Sequence, residues 1–241
     1  TTVEEPAPTR DHTERMLRGF GYDVVSEKLD DMRTRVSLTG GQSLAASDID
    51  VPSDISSAAF FMVAAAIAEE ADLVIEHVGI NPTRTGVLDI LKLMGADITL
   101  ENEATVGGEP VADIRIRSSK LKGIDIPPHL VPLAIDEFPV LFVAASAAEG
   151  RTVLTGAEEL RVKESDRIQV MADALNALGI QATPTEDGMI IEGGQQAPQS
   201  APILSHHDHR ISMAATVAGL RAASDVIVDD CANVNTSFPT F

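Results

Sequence analysis

The run Leu160-Arg161-Val162-Lys163-Glu164-Ser165-Asp166-Arg167 is the densest chemical constellation in the sequence. It reads as a strand-to-helix junction, where the free amides of a helix N-terminus add partial positive charge. Lys163 and Arg167 lie four positions apart and are expected to share one helix face, with Glu164 between them. Two cations flanking a carboxylate suit an anionic substrate and a proton transfer. The same pattern also describes a capped, salt-bridged helix start. Asp136, in Ile135-Asp136-Glu137-Phe138-Pro139-Val140, stands at the mouth of an apolar, Ala-rich helix. Its carboxylate either caps that helix or, partly desolvated, faces a substrate hydroxyl as a base.

His206-His207-Asp208-His209-Arg210 precedes another Ala-rich stretch. Three histidines invite a metal reading, but side chains adjacent in sequence diverge and no second ligand cluster has metal spacing. No metal is therefore expected, and Arg210 is the more economical candidate as a fork for a carboxylate or phosphate. Arg10, Arg15 and Arg84 fall at or near turns, where most arginines are solvated or salt-bridged. Cys231 has no Lys or His beside it in sequence and reads as a small buried apolar residue.

These residues need a scaffold, and one pattern recurs along the chain: strand, polar turn with Thr or Arg, amphipathic helix, then Gly. It runs from Pro8 to Gly21, from Pro82 to Asp97 and from Val162 to Ile180, and a fourth copy begins at Asn235-Thr236-Ser237-Phe238-Pro239. A spacing of roughly 70 to 85 residues makes each unit a whole βαβ-like module rather than a short solenoid repeat. Between these helices lie Ala-rich ones at 55–70, 136–148 and 208–222, whose composition suits close packing in an interior. Alternating segments such as 35–39 and 112–117 suit sheets with one wet face. The expectation is an α/β (α+β) chain of repeated modules, with buried helices under outer sheets. A Pro-containing linker places a crossing between lobes near residue 49, so that 1–48 end one lobe and 49–241 form a second, truncated near its C-terminal end.

With Lys+Arg 18 against Asp+Glu 37, the formal net charge is −19. Such a chain repels nucleic acid and anionic membrane in general, and an anionic ligand must meet a local basic cluster. No apolar stretch has the length and purity of a transmembrane helix. One cysteine, and an N-terminus without a basic flank or apolar core, read as cytoplasmic. Both ends read as cut from something longer.

In this order, 9–17, Asp54-Ile55-Ser56-Ser57-Ala58-Ala59-Phe60, Asn81-Pro82-Thr83-Arg84, Asp136-Glu137-Phe138-Pro139-Val140, 160–167 and Asp208-His209-Arg210 closely resemble the 5-enolpyruvylshikimate-3-phosphate synthase family. The resemblance covers nearly the whole chain and implies its C-terminal half. It implies an enolpyruvyl transferase-like lobe of βαβαββ modules with outer mixed sheets. It also implies transfer of the enolpyruvyl group of phosphoenolpyruvate to the 5-hydroxyl of shikimate 3-phosphate, in aromatic amino-acid biosynthesis, with no cofactor.

On that resemblance Asp136 is the base toward the hydroxyl, Glu164 moves a proton at the enol carbon, and Lys163 neutralises charge or moves a proton between the substrates. Arg167 and Arg210 hold phosphoenolpyruvate with His209 beside them, and Arg10 contacts shikimate 3-phosphate. The partner implied is the missing N-terminal half, without which this chain supplies about half of a site. The sequence departs from the family at Asn235, where many members have Lys, and at Pro52-Ser53-Asp54, where Pro-Gly-Asp is usual. Two alternatives share the fold: a relative acting on UDP-N-acetylglucosamine, whose reactive-loop cysteine has no counterpart here, and a non-catalytic module.

Overall fold

The chain repeats one local topology, seen in a computed structural model that describes residues 1–7, 9–30, 33–194 and 197–241. Pro8, where the first sequence repeat begins, lies outside the described residues. The first unit is β1 (Thr2–Glu5), α1 (His12–Gly19), β2 (Val24–Lys28) and β3 (Thr34–Leu38), with strands ordered β1-β3-β2 and antiparallel throughout. A linker then brings Ser53 into a parallel bridge with Val78, ahead of α2 (Ile55–Ile67). The second unit is β4 (Asp72–Gly79), α3 (Gly86–Leu93), β5 (Asp97–Val106) and β6 (Glu109–Arg117), ordered β4-β6-β5.

Parallel bridges at Lys122 and Asp125 lead into α4 (Phe138–Ala147). The third unit is β7 (Gly150–Leu154), α5 (Arg167–Ala177), β8 (Gln181–Pro184) and β9 (Met189–Gly193), ordered β7-β9-β8. After it, β10 (Pro202–Leu204) and β11 (Ile227–Asp229) pair in parallel around α6 (His209–Gly219). The mixed character of the sheets comes from those parallel bridges beside antiparallel triplets.

The core sits among α2, α4 and α6, which pack on one another and under the sheets. In α4 every residue from Phe138 to Ser146 is buried, as an all-round apolar helix requires. Its alanines let neighbouring backbones approach closely. Residues 1–48 differ: α1 buries no residue, Val24 is the one buried apolar side chain among the described residues there, and Val3, Met16 and Val25 are 54%, 47% and 58% exposed.

Several local expectations change. The Ala-rich helices are shorter than the apolar runs, since each run continues past the helix into a cap or strand. Lys163 and Glu164 precede α5 instead of sharing its face, because a 3-10 turn at Glu158–Val162 ends first and the helix proper starts at Arg167. Cys231 is exposed, because it follows the short edge strand β11 and opens a surface 3-10 turn at Ala232–Thr236. Ser53 is not among the described residues with positive φ, so serine costs little where glycine is usual.

Candidate active site

Asp136 projects from the turn before α4. That turn closes through the Glu137 N–H to Ala134 O at 3.0 Å, and Pro139 in the first helical turn needs no amide partner. Glu137 therefore occupies the cap position without a side-chain cap bond, and Asp136 stands outside it. The capping role expected as one reading of Asp136 is absent, which leaves its carboxylate to side chains from elsewhere.

Four cations converge there. Arg10 donates to Oδ2 of Asp136, Lys163 Nζ lies 3.5 Å and Arg167 Nη1 3.8 Å from Oδ1, and Arg210 Nη1 donates to the Asp136 carbonyl at 3.0 Å. Burial alone would raise the Asp136 pKa. The Arg10 hydrogen bond and the charges of Arg210 and Lys163 outweigh it and hold the carboxyl at about 2.

The loop after the 3-10 turn is pinned on both sides. Arg161 donates to Asp166 at 2.6 Å and to Glu186 O at 2.7 Å, and Asp166 caps α5 by accepting from the Gln169 N–H at 3.0 Å. Arg167 is 1% exposed and Asp208 0%. Their buried pair is tied by Nε to Oδ2 at 2.8 Å and Nη2 to Oδ1 at 3.3 Å, with the Ser165 hydroxyl donating to Oδ2 at 2.9 Å. Asp208 also caps α6 through the Arg210 N–H at 2.9 Å. Glu164, half exposed, accepts from Arg167 Nη2 at 2.6 Å, and Lys163 also pairs with Glu159. Burial and the Arg210 charge lower the His209 pKa, which favours a neutral imidazole.

The structure thus brings Arg10, Asp136, Lys163, Glu164, Arg167, Asp208 and Arg210 into one cluster, with His209 on the same helix turn as Arg210. Asn235 is exposed on the 3-10 turn Ala232–Thr236. Among the described residues no group of three or more His, Cys, Asp or Glu could hold a metal ion. A cavity of about 160 Å³ is walled in part by His12, Asp54, Asn81, Arg84 and Glu109, and no residue of this cluster is in its wall.

Sequence reasoning missed a second polar set behind Asp136. Glu137 is 2% exposed and accepts from the Ser56 hydroxyl, which in turn accepts from Arg84 Nη2 at 2.7 Å. Arg84 also reaches Asp54 at 3.1 Å, and Asp54 caps α2 by accepting from the Ser57 N–H at 2.9 Å. Buried Asn81 donates to Asp11 at 2.7 Å and to Glu109 at 2.9 Å, which docks α1 on the second unit beside Arg10. The available signal was the acid doublet before an apolar helix: both carboxylates cannot face water there.

Cations converging on one residue make a locally basic patch in a chain of net charge −19. Anions that engage the cations would relieve their hold on Asp136 and raise its basicity.

The family model described as EPSP synthase (3-phosphoshikimate 1-carboxyvinyltransferase) matches residues 1–241. The 3-phosphoshikimate 1-carboxyvinyltransferases of Hydrogenovibrio crunogenus and Alkalilimnicola ehrlichii are 81% and 64% identical over all of this chain, which covers 54% and 53% of their lengths. An EPSP synthase structure from Acinetobacter baumannii superposes with TM-score 0.93 at 61% identity, over all of this chain and 54% of that one. The enolpyruvyl transferase NikO from Streptomyces tendae, at 17% identity and TM-score 0.71, covers 99% of this chain and 53% of its own, and shares the fold alone. The chain spans about half the length of the curated relatives it matches. It belongs to the EPSP synthase family.

Proposed function

We propose that this chain supplies one wall of a site that transfers the enolpyruvyl group of phosphoenolpyruvate to the 5-hydroxyl of shikimate 3-phosphate, releasing phosphate. The observation that carries it is the convergence of Arg10, Lys163, Arg167 and Arg210 on Asp136 in a member of this family. In this reading Glu164 gives a proton to the methylene carbon, and the positive charge that develops at the neighbouring carbon is attacked by the 5-hydroxyl oxygen. Asp136 takes the hydroxyl proton. Phosphate then leaves as a proton returns from the new methyl group, which restores the carbon–carbon double bond. Arg167, Arg210 and Lys163 balance carboxylate and phosphate charge, with His209 beside them.

Arg10 lies on the 1–48 unit, which we assign to the first lobe, with 49–241 in the second. The partner in this reading is the other part of the protein, which would cover the exposed apolar side chains Val3, Met16 and Val25. Closure of the lobes would exclude water and complete the site. The cytoplasmic location expected from the sequence belongs to the same reading.

The test is a chimaera in which this chain replaces the matching 241 residues of the Hydrogenovibrio crunogenus relative. Phosphate release that needs both substrates, beside negligible release from this chain alone, is the expected result. A folded chimaera without turnover, where the intact relative turns over, sinks the reading.

A further inference from the structure

The reaction assigned above uses Asp136 and leaves its neighbour Glu137 without a role. Glu137 is nevertheless built in with care. It is 2% exposed, in a position where an unpartnered carboxyl would be costly. The Ser56 hydroxyl donates to its Oε1, and Arg84 Nη2 lies 3.9 Å from the same oxygen while donating to Ser56 at 2.7 Å. These three residues come from different places: the first turn of α2, the turn before α3, and the cap of α4.

What they fix is the peptide that carries Asp136. Residue 136 has two duties that depend on its backbone as well as its side chain. Its carbonyl accepts from Arg210, and its carboxylate must face Arg10, Lys163 and Arg167 at once. A rotation of the 136–137 peptide would break the Arg210 bond and swing the carboxylate away. From the 137 side, the Ser56 contact is the hydrogen bond that holds the adjacent side chain, and it ties the turn to α2. Arg84 stiffens that tie from the other direction, because Asp54 holds its guanidinium at 3.1 Å and also caps α2. The rear of the site is therefore braced across three elements, and the brace meets the reacting face at one peptide bond.

We propose that Glu137, held by Ser56 and Arg84, is a positioning residue that sets the orientation of Asp136 and Arg210 for the proton transfer. The proposal rests on the function assigned above, and its test separates the two. In the chimaera the parental turnover reports on the function itself. The variants Glu137→Gln, Glu137→Ala and Ser56→Ala report on the brace, each checked by thermal melting to be folded at the assay temperature.

Glutamine keeps the size and the acceptor oxygen for Ser56, so Glu137→Gln is expected within about threefold of parental kcat. Glu137→Ala is expected to lose roughly tenfold to a hundredfold in kcat, with a smaller change in KM for either substrate, because misplacement penalises the reacting geometry more than binding. The limb of its pH–rate profile that reports the Asp136 base should move as well, which a merely structural loss would not cause. Ser56→Ala, which removes only a hydroxyl, is expected to lose about threefold to tenfold and serves in place of the alanine variant should that one not fold. Glu137→Ala within twofold of the parent, Glu137→Gln as impaired as Glu137→Ala, or Ser56→Ala at parental kcat would each overturn the proposal.

Discussion

Arg10 and Asp136, 126 positions apart in the chain, meet as a hydrogen-bonded ion pair, with the guanidinium 45% exposed and the carboxylate 16%. The pair joins the first strand–helix–strand–strand unit to the turn before the most deeply buried helix. It sets up a competition: an anionic substrate that takes Arg10 must take it from Asp136. Removing the arginine therefore has two effects. Arg10→Ala in the chimaera should raise KM for shikimate 3-phosphate about tenfold to a hundredfold, the scale of a charge-assisted hydrogen bond. It should also raise the pKa of Asp136 from about 2, since the Arg10 bond is one of its main lowering influences. Steady-state kinetics and NMR titration of the carboxyl read the two effects separately. An unchanged KM would detach Arg10 from that substrate.

Arg167 and Asp208 form the most buried ion pair of the site. Asp208→Asn keeps the shape and leaves the guanidinium buried with one fewer compensating charge. The expected cost is about 3 kcal/mol, at the lower end for breaking a buried pair because Glu164 still accepts from Nη2. In a scanning melt that corresponds to a drop of roughly 10 °C for a chain of this size. A drop under about 2 °C would mean that water or substrate-side groups already share the charge.

Much of this was legible before the structure. The strand–helix–strand–strand unit showed as a recurring Gly-ended helix, because a module that cannot bury its own face must repeat its apolar pattern. Residues 163, 164 and 167 stood out as a dense charged run at a strand-to-helix junction, 136 and 210 stood out before Ala-rich stretches, and a role for 10 came only with the family resemblance. What stayed hidden was burial set by distant partners. Glu137 reads like any acid at a helix start until Ser56, 81 positions away, is found against it. Cys231 read as buried because no Lys or His stands beside it in sequence, yet burial is decided by what packs over the short strand β11. Helix starts were misjudged where the cap fell on Glu137 instead of Asp136, and where a 3-10 turn at 158–162 came ahead of the helix proper.

Gly86, the first residue of α3, marks where that helix meets the segment before Asp136. A Cβ there would come within 2.8 Å of the Leu133 carbonyl carbon and 2.9 Å of Leu130 O. Both are backbone atoms and neither can step aside as a side-chain tip does. Gly86→Ala must push residues 130–133 outward, and Asp136 is three residues on. The chimaera carrying it should lose about 1–3 kcal/mol of stability, and its kcat should fall by about tenfold or more through displacement of Asp136. Parental kinetics in a destabilised Gly86→Ala protein would show that the 130–133 segment absorbs the push without passing it to the site.

Glu137 and Asp136 should respond to pH in opposite senses, although they are adjacent. Burial raises the Glu137 pKa above its usual 4.5. The Ser56 hydrogen bond and the charges of Arg210 and Arg84 only partly oppose it, and the Asp136 charge adds to it. The folded state thus prefers this group protonated. Its contribution to stability is fully present below the unfolded value of about 4.5 and is lost as pH rises through the folded value. Asp136 is the reverse: its contribution is present above the unfolded 3.8 and lost as pH falls toward about 2. Glu137→Gln is neutral at every pH. Its melting temperature relative to the parent should therefore rise between pH 5 and pH 8, a window in which Asp136 stays ionised. His209, whose pKa burial and the Arg210 charge lower, is common to both proteins and cancels in the difference. A difference that stays flat across pH 5 to 8 would mean that Glu137 is as ionised in the folded chain as in the unfolded one, with Arg84 and Arg210 fully offsetting its burial.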